Sequence, residues 1–143
     1  MIRIPHTFTA SYILFIQEGK ILLSRRCQTD FEDGNYSLPA GHTEPGETFT
    51  QALIREIDEE IGVTLAPDNV VVSHVMHRKF GRENIDVFFT AKNWTGIPKN
   101  KEPEKCDDLA WFPVDNLPNN TIPYIRQAIE NSLKGVFYSE HGW

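Results

Sequence analysis

The chain has 143 residues, with 14 lysines and arginines against 20 aspartates and glutamates, a formal charge of −6, and 40% hydrophobic and 24% charged residues. A chain of that length buries about 70% of the surface its unfolded form exposes, enough for one core without disulfide staples or a structural metal, so a single domain over residues 1–143 is expected. The acidic balance excludes a basic face that grips a long nucleic-acid backbone. The apolar runs fall far short of the ~20 residues that span a bilayer, and Met1 to Pro5 lacks the apolar stretch of a signal peptide. A cytoplasmic protein with no membrane or long nucleic-acid partner is therefore expected, and Cys27 and Cys106, which have no motif spacing, read as reduced thiols.

In chain order, Thr7 to Arg25 predicts a hairpin: Tyr12, Leu14 and Ile16 alternate, Glu18-Gly19 turns, and Ile21 and Leu23 resume the pattern. Gln28 to Glu47 holds Asp33-Gly34-Asn35, Pro39, Gly41, Pro45 and Gly46, a density of turn-formers that predicts a long structured loop. A helix follows, because Thr48 to Gln51 matches a capping box, the residues to Ile61 favour helix, and Gly62 suits a C-terminal cap. Val70 to Met76 and Ile85 to Ala91 are β-branched and aromatic and predict two strands joined through Gly81-Arg82-Glu83-Asn84. Trp94 to Lys105 is polar and broken by proline. Leu109 to Phe112 predicts a short strand, Pro113 to Pro118 a turn, and Ile122 to Leu133 a second amphipathic helix. Strands on both sides of a central helix, closed by another helix, predict an α/β fold with one layer of mixed sheet sandwiched between helices.

The first helix carries the chemistry. At about 100° per residue, Glu59 lies about 300° and Glu60 about 40° from Glu56, so three carboxylates share one face, while Ile54, Ile57 and Ile61 form an apolar stripe opposite. Clustered carboxylates repel one another, and a hard divalent cation offsets that cost by taking oxygen ligands. The bland alternative is a solvated acidic face.

The full string Gly41-His42-Thr43-Glu44-Pro45-Gly46-Glu47, seven residues, then Arg55-Glu56-Ile57-Asp58-Glu59-Glu60-Ile61-Gly62-Val63, resembles the Nudix box and meets every fixed position of it. The resemblance implies a Nudix-type α/β/α sandwich with a mixed central sheet. It implies that Glu56, Glu59 and Glu60 bind metal with the Gly41 carbonyl as a further ligand, that Glu56 and Glu59 are catalytic, and that Glu47 and Arg55 brace loop against helix. In relatives a more distal glutamate completes the site; Glu102 sits in the matching loop, with Glu104 as its competitor and a solvated loop acid as the alternative. The implied cofactor is Mg²⁺, with Mn²⁺ as a substitute, and the implied reaction is metal-assisted substitution at phosphorus. Arg25 matches a phosphate-contacting arginine of MutT-like members.

The short build and the string from Glu102 to Phe112 look like the MutT-like branch, which cleaves (deoxy)nucleoside triphosphates to monophosphate and pyrophosphate. No Ser-Gln-Pro-Trp-Pro-type string of the NADH pyrophosphatases is present, and Phe80 stands near where dinucleoside-polyphosphate members carry tyrosine. Ser37 and Thr121 depart from the patterns of members specific for oxidised guanine nucleotides. Phe88 is a candidate wall for the base and Asn119 a candidate polar contact, against the blander reading of a core aromatic and a turn. His74 and His77, three apart on a strand, are expected to point to opposite faces, and the segment Tyr138 to Trp143 to pack back on the domain. The partner expected is a small nucleotide. A nucleoside diphosphate sugar, ADP-ribose or another diphosphate-linked metabolite is the alternative substrate, and a non-catalytic nucleotide-binding module the alternative role; the sequence leaves a homodimer open.

Overall fold

The computed structural model describes residues 7–143; the stretch read for a signal peptide lies outside the described residues. Strands β1 (Thr7–Leu14), β2 (Ile16–Gln17), β3 (Lys20–Arg26), β4 (Tyr36–Ser37) and β5 (Ala40–His42) precede helix α1 (Phe49–Ile61). A single 3-10 turn at Pro67–Asn69 leads to β6 (Val70–Phe80), β7 (Arg82–Ala91), β8 (Cys106–Pro113), helix α2 (Pro123–Lys134) and β9 (Tyr138–His141).

The mixed sheet between two helices is present, in the order β5-β1-β7-β6-β9, with β1 parallel to β7 and β6 parallel to β9. A second, antiparallel sheet is built around β3 from β2, β4 and β8. The division falls at Phe15. Ile16 and Gln17 turn back onto Ile21 and Lys20 as the hairpin pattern requires, but Thr7–Leu14 leaves that hairpin to lie along β7 and β5. The loop from Gln28 to Glu47 also holds the short strands β4 and β5, and the two strands after α1 extend to meet at Gly81 alone.

Alternate residues of the same strands feed two cores. Tyr12, Leu14 and Phe88 pack with Ile125 and Ile129 of α2, while Ile13, Phe15, Val87 and Phe89 pack with Leu53, Ile57 and Ile61 of α1. A strand covered on both faces reads as a near-continuous apolar run, as Tyr12 to Ile16 does. Each fully buried Leu, Ile or Phe contributes about 1.5–3 kcal/mol, so α1 is anchored by its apolar stripe and its opposite face is free to carry charge.

The C-terminal segment forms the edge strand β9, which its short, polar sequence did not announce. Trp143 then packs 4.6 Å from the His77 ring and donates its indole N–H to the His77 carbonyl at 3.0 Å. His74 is fully buried with ring nitrogens 2.7 Å from the Val136 carbonyl and Ser139 Oγ, so the two histidines make no common site. Among the described residues no helix is long and apolar enough to cross a membrane, and Cys27 and Cys106 are free thiols.

Candidate active site

Helix α1 is closed at both ends by its own sequence. Thr48 accepts from the Gln51 amide at 3.1 Å while the Gln51 side chain accepts from the Thr48 amide at 2.9 Å, and Gly62 adopts the left-handed conformation, φ +69°, with its N–H on the Asp58 carbonyl. A β-carbon at Gly62 would strain that turn. The loop after β7 completes the cap: the Lys99 and Lys101 amides donate to the Ile61 and Glu60 carbonyls, both at 3.0 Å, and Lys101 Nζ reaches the Asp58 carbonyl at 3.1 Å. Positive groups at a helix C-terminus are favoured by the helix dipole. This docking delivers the next residue, Glu102, to the cavity that Glu56 and Glu60 line, whereas Glu104 points to solvent and does not line it.

Arg55 ties the preceding loop to the helix. It donates to both carboxylate oxygens of Glu47, at 2.7 and 2.9 Å, and to Glu56 Oε1 at 2.7 Å, with Glu59 Oε2 at 3.6 Å. The Glu47 carboxyl is held down to about 2 by that guanidinium and then by the Glu44 amide. Strand β5 lays Gly41 opposite Ser11 and against the stem of Glu56, so close that an added Cβ would sit 2.8 Å from Glu56 Cβ and nearer still to its carboxyl end. Only glycine lets the backbone approach the acid this way.

Glu60 is partly buried, and its carboxyl is pushed up to about 8, first by burial and then by the charges of Glu56 and Glu102. Among the described residues no cation pairs with it. Glu59, on the same helix face, is 56% exposed and stands outside the cavity. Among the described residues no three His, Cys, Asp or Glu side chains form a cage ready to hold an ion as they stand. The donor set nevertheless suits a hard divalent cation: carboxylates at one cavity end, the Gly41 backbone packed against Glu56, and Glu60 with no cation partner among the described residues.

The cavity is about 730 Å³. Arg25 lines it, paired to Asp107 at 2.7 Å, and His42 borders it. Two expected contacts are not there. Phe88 is fully buried and stacked on Tyr12 at 4.5 Å in the core beneath α2, because its strand is covered on both faces, and Asn119 is exposed in the turn before α2, away from the cavity. The aromatic wall is instead Phe31 with Phe80, edge to face at 5.5 Å, and the polar floor is Arg78, Asn84, Tyr12 and Tyr124. The charged residues of this end were visible only as the scattered group His77-Arg78-Lys79; the pairing that orders them is long-range.

Comparison with known proteins agrees with this geometry. The NUDIX domain family matches residues 5–131. The NAD-capped RNA hydrolase NudC of Stutzerimonas stutzeri is 33% identical over 86% of this chain and 42% of its own length, and the human 8-oxo-dGDP phosphatase NUDT18 is 36% identical over 74% of this chain and 29% of its own. This chain thus spans less than half the length of those two relatives. The Escherichia coli 8-oxo-dGTP diphosphatase is 29% identical over 76% of this chain and 85% of its own length. Among solved structures, a MutT NUDIX hydrolase from Burkholderia pseudomallei superposes with a TM-score of 0.80 at 27% identity, covering 87% of this chain and 97% of that one.

Proposed function

The chain belongs to the Nudix family, and on that premise we propose that it is a divalent-metal-dependent hydrolase of a phosphoanhydride bond in a nucleoside diphosphate-linked substrate. The substrate it fits best is a (deoxy)nucleoside triphosphate, cleaved to monophosphate and pyrophosphate. The observation that carries this reading is the convergence of three carboxylates, Glu56, Glu60 and Glu102, of which Glu60 pairs with no cation among the described residues, at one end of a cavity large enough for a nucleotide. Supporting the triphosphate is the E. coli relative, named for 8-oxo-dGTP and matched over most of its length. The relative named for NAD-capped RNA supports a second reading, a diphosphate joining two nucleosides.

Glu56, Glu60 and Glu102, with the Gly41 carbonyl, are the cavity-lining residues that would hold the cation, and Glu59, outside the cavity but on the same helix face, would join them by turning its side chain inward. Mg²⁺ held there, or Mn²⁺ in its place, would neutralise charge on the phosphates and lower the pKa of water. Glu56 takes a proton from the attacking water, its carboxylate kept in place by Arg55 and by the Gly41 backbone. Arg25 exchanges Asp107 for a phosphate oxygen. Glu47 and Arg55 touch no substrate; they hold the loop and helix in register.

The test is incubation with Mg²⁺ and a panel of nucleoside triphosphates, nucleoside diphosphate sugars, ADP-ribose and dinucleotides, beside Glu56→Gln, with products separated by chromatography. Pyrophosphate release from triphosphates, reduced about 10³-fold in the variant while its melting temperature holds, supports the reading. Cleavage confined to diphosphate-linked compounds replaces the substrate by the second reading. Inactivity on the whole panel makes the protein a nucleotide-binding module.

A further inference from the structure

The end of the cavity away from the carboxylates has a built polar floor. In the antiparallel pair β6·β7, Phe80 stands opposite Arg82, Arg78 opposite Asn84, and Met76 opposite Asp86, so these side chains share one face. Arg78 and Asn84 are 6% and 2% exposed, and both line the cavity. Arg78 is fixed in place: Nε donates to Asp86 Oδ2 at 2.6 Å, Nη2 lies 3.4 Å from Asp86 Oδ1, and the guanidinium sits 3.9 Å from the centre of the Tyr124 ring. Asn84 Nδ2 donates to the Arg82 carbonyl at 3.1 Å. Among the described residues, Arg78 Nη1 and Asn84 Oδ1 make no hydrogen bond, although no fully enclosed side-chain polar atom lacks a partner. Both residues line the cavity, so the groups without a partner belong to its floor. Next to them Phe80 is 64% exposed, an apolar ring left open beside Phe31 at the cavity wall.

We propose that Arg78 and Asn84 are specificity-determining residues that read a planar ring bearing a lactam, a carbonyl next to a ring N–H, stacked on Phe80. This deepens the function proposed above and rests on it for the placement of the phosphates at the acidic end. A guanidinium only donates, so the group facing Nη1 must accept, and a carbonyl oxygen accepts from a cation more strongly than a ring nitrogen does. Asn84 Oδ1 takes the neighbouring ring N–H. One hydrogen of its Nδ2 is held by the Arg82 carbonyl, which fixes the plane of the Asn84 amide. Guanine, hypoxanthine and uracil carry the lactam; adenine and cytosine place an amine there. The exposed face of Phe80 supplies stacking that does not depend on the base.

Binding of GMP, UMP, AMP and CMP to the whole protein in Mg²⁺ is measured by calorimetry for wild type, Asn84→Ala and Phe80→Ala, alongside hydrolysis of the four triphosphates. The expected result is wild-type binding about 10-fold tighter for GMP and UMP than for AMP and CMP, the contribution of one well-placed hydrogen-bonded pair. Asn84→Ala reduces that ratio to about 2 or less, and Phe80→Ala weakens all four ligands while keeping the ratio. Equal binding of the four by wild type overturns the proposal, and so does an unchanged ratio in Asn84→Ala; the wild-type comparison stands even where a variant fails to fold. A lactam preference in binding without hydrolysis of any triphosphate upholds this inference and removes the proposed reaction. Triphosphate hydrolysis with no base preference does the reverse.

Discussion

At one end of the cavity Glu56, Glu60 and Glu102 bring carboxylates together with no cation beside Glu60; at the other, Asp86 is fully buried but lies 2.6 Å from Arg78, with the Tyr12 hydroxyl donating to it at 3.3 Å. Enclosed charge is costly unless something compensates it. Where the chain supplies its own counter-ion, the result is a rigid floor that presents fixed atoms to a ligand. Where it does not, burial and the neighbouring negative charges push the Glu60 carboxyl up to about 8. Arg55 shows the intermediate case: it satisfies Glu47 fully and Glu56 through a single oxygen.

Three experiments break or sharpen this contrast. The largest effect is expected for Asp86→Ala, which strands the enclosed Arg78 charge and lowers the unfolding free energy by about 3–5 kcal/mol in denaturant titrations; replacing Asp86 and Arg78 together by apolar residues costs much less, since no charge is then left unpaired. Next comes Gly41→Ala. The backbone at Gly41 tolerates a side chain, but the new Cβ must displace Glu56, so if Glu56 is the proposed base, turnover falls about 10²-fold with little change in melting temperature.

The smallest effect is a trend with pH in chelator. The Glu60 carboxyl binds its proton more tightly folded than unfolded, so its contribution to stability is full below the unfolded value of 4.5 and is lost as pH rises toward about 8. Glu47 behaves oppositely: its folded value of about 2 lies below the unfolded one, so its contribution is full above 4.5 and is lost as pH falls toward 2. Melting temperatures of the metal-free protein between pH 5 and 8 should therefore decline less in Glu60→Gln than in wild type, and added Mg²⁺ should raise the wild-type melting temperature more at pH 8 than at pH 5. An unaltered slope in the variant would mean that Glu60 is not the group left uncompensated.

The fold and the acidic end were largely legible, for a local reason. Thr48, Gln51 and Gly62 cap α1 through groups three or four residues apart, and the spacing of Glu56 and Glu60 puts both on one helix face whatever the helix packs against. The Glu47 to Arg55 brace follows from the same short stretch of chain. Glu102 and Glu104 could not be separated by their neighbours, because what separates them is the docking of the Lys99 and Lys101 amides onto the end of α1. Phe88 looked available because alternation places it on a face without saying that α2 covers that face. Asn119 looked useful as a polar loop residue, but it is exposed and does not line the cavity.

The sequence by itself determined the helices, their caps, the turn at Gly19 and the carboxylate face, since each depends on residues within a few positions of one another. Only the tertiary structure decided that Thr7–Leu14 leaves its hairpin for β7, that Arg78 stands opposite Asn84, and that Phe31 meets Phe80. Strand pairing and register are won in competition among distant segments by burial of whole faces. The acidic end of the cavity can therefore be read from one stretch of chain, while its other end exists only once the sheet has formed.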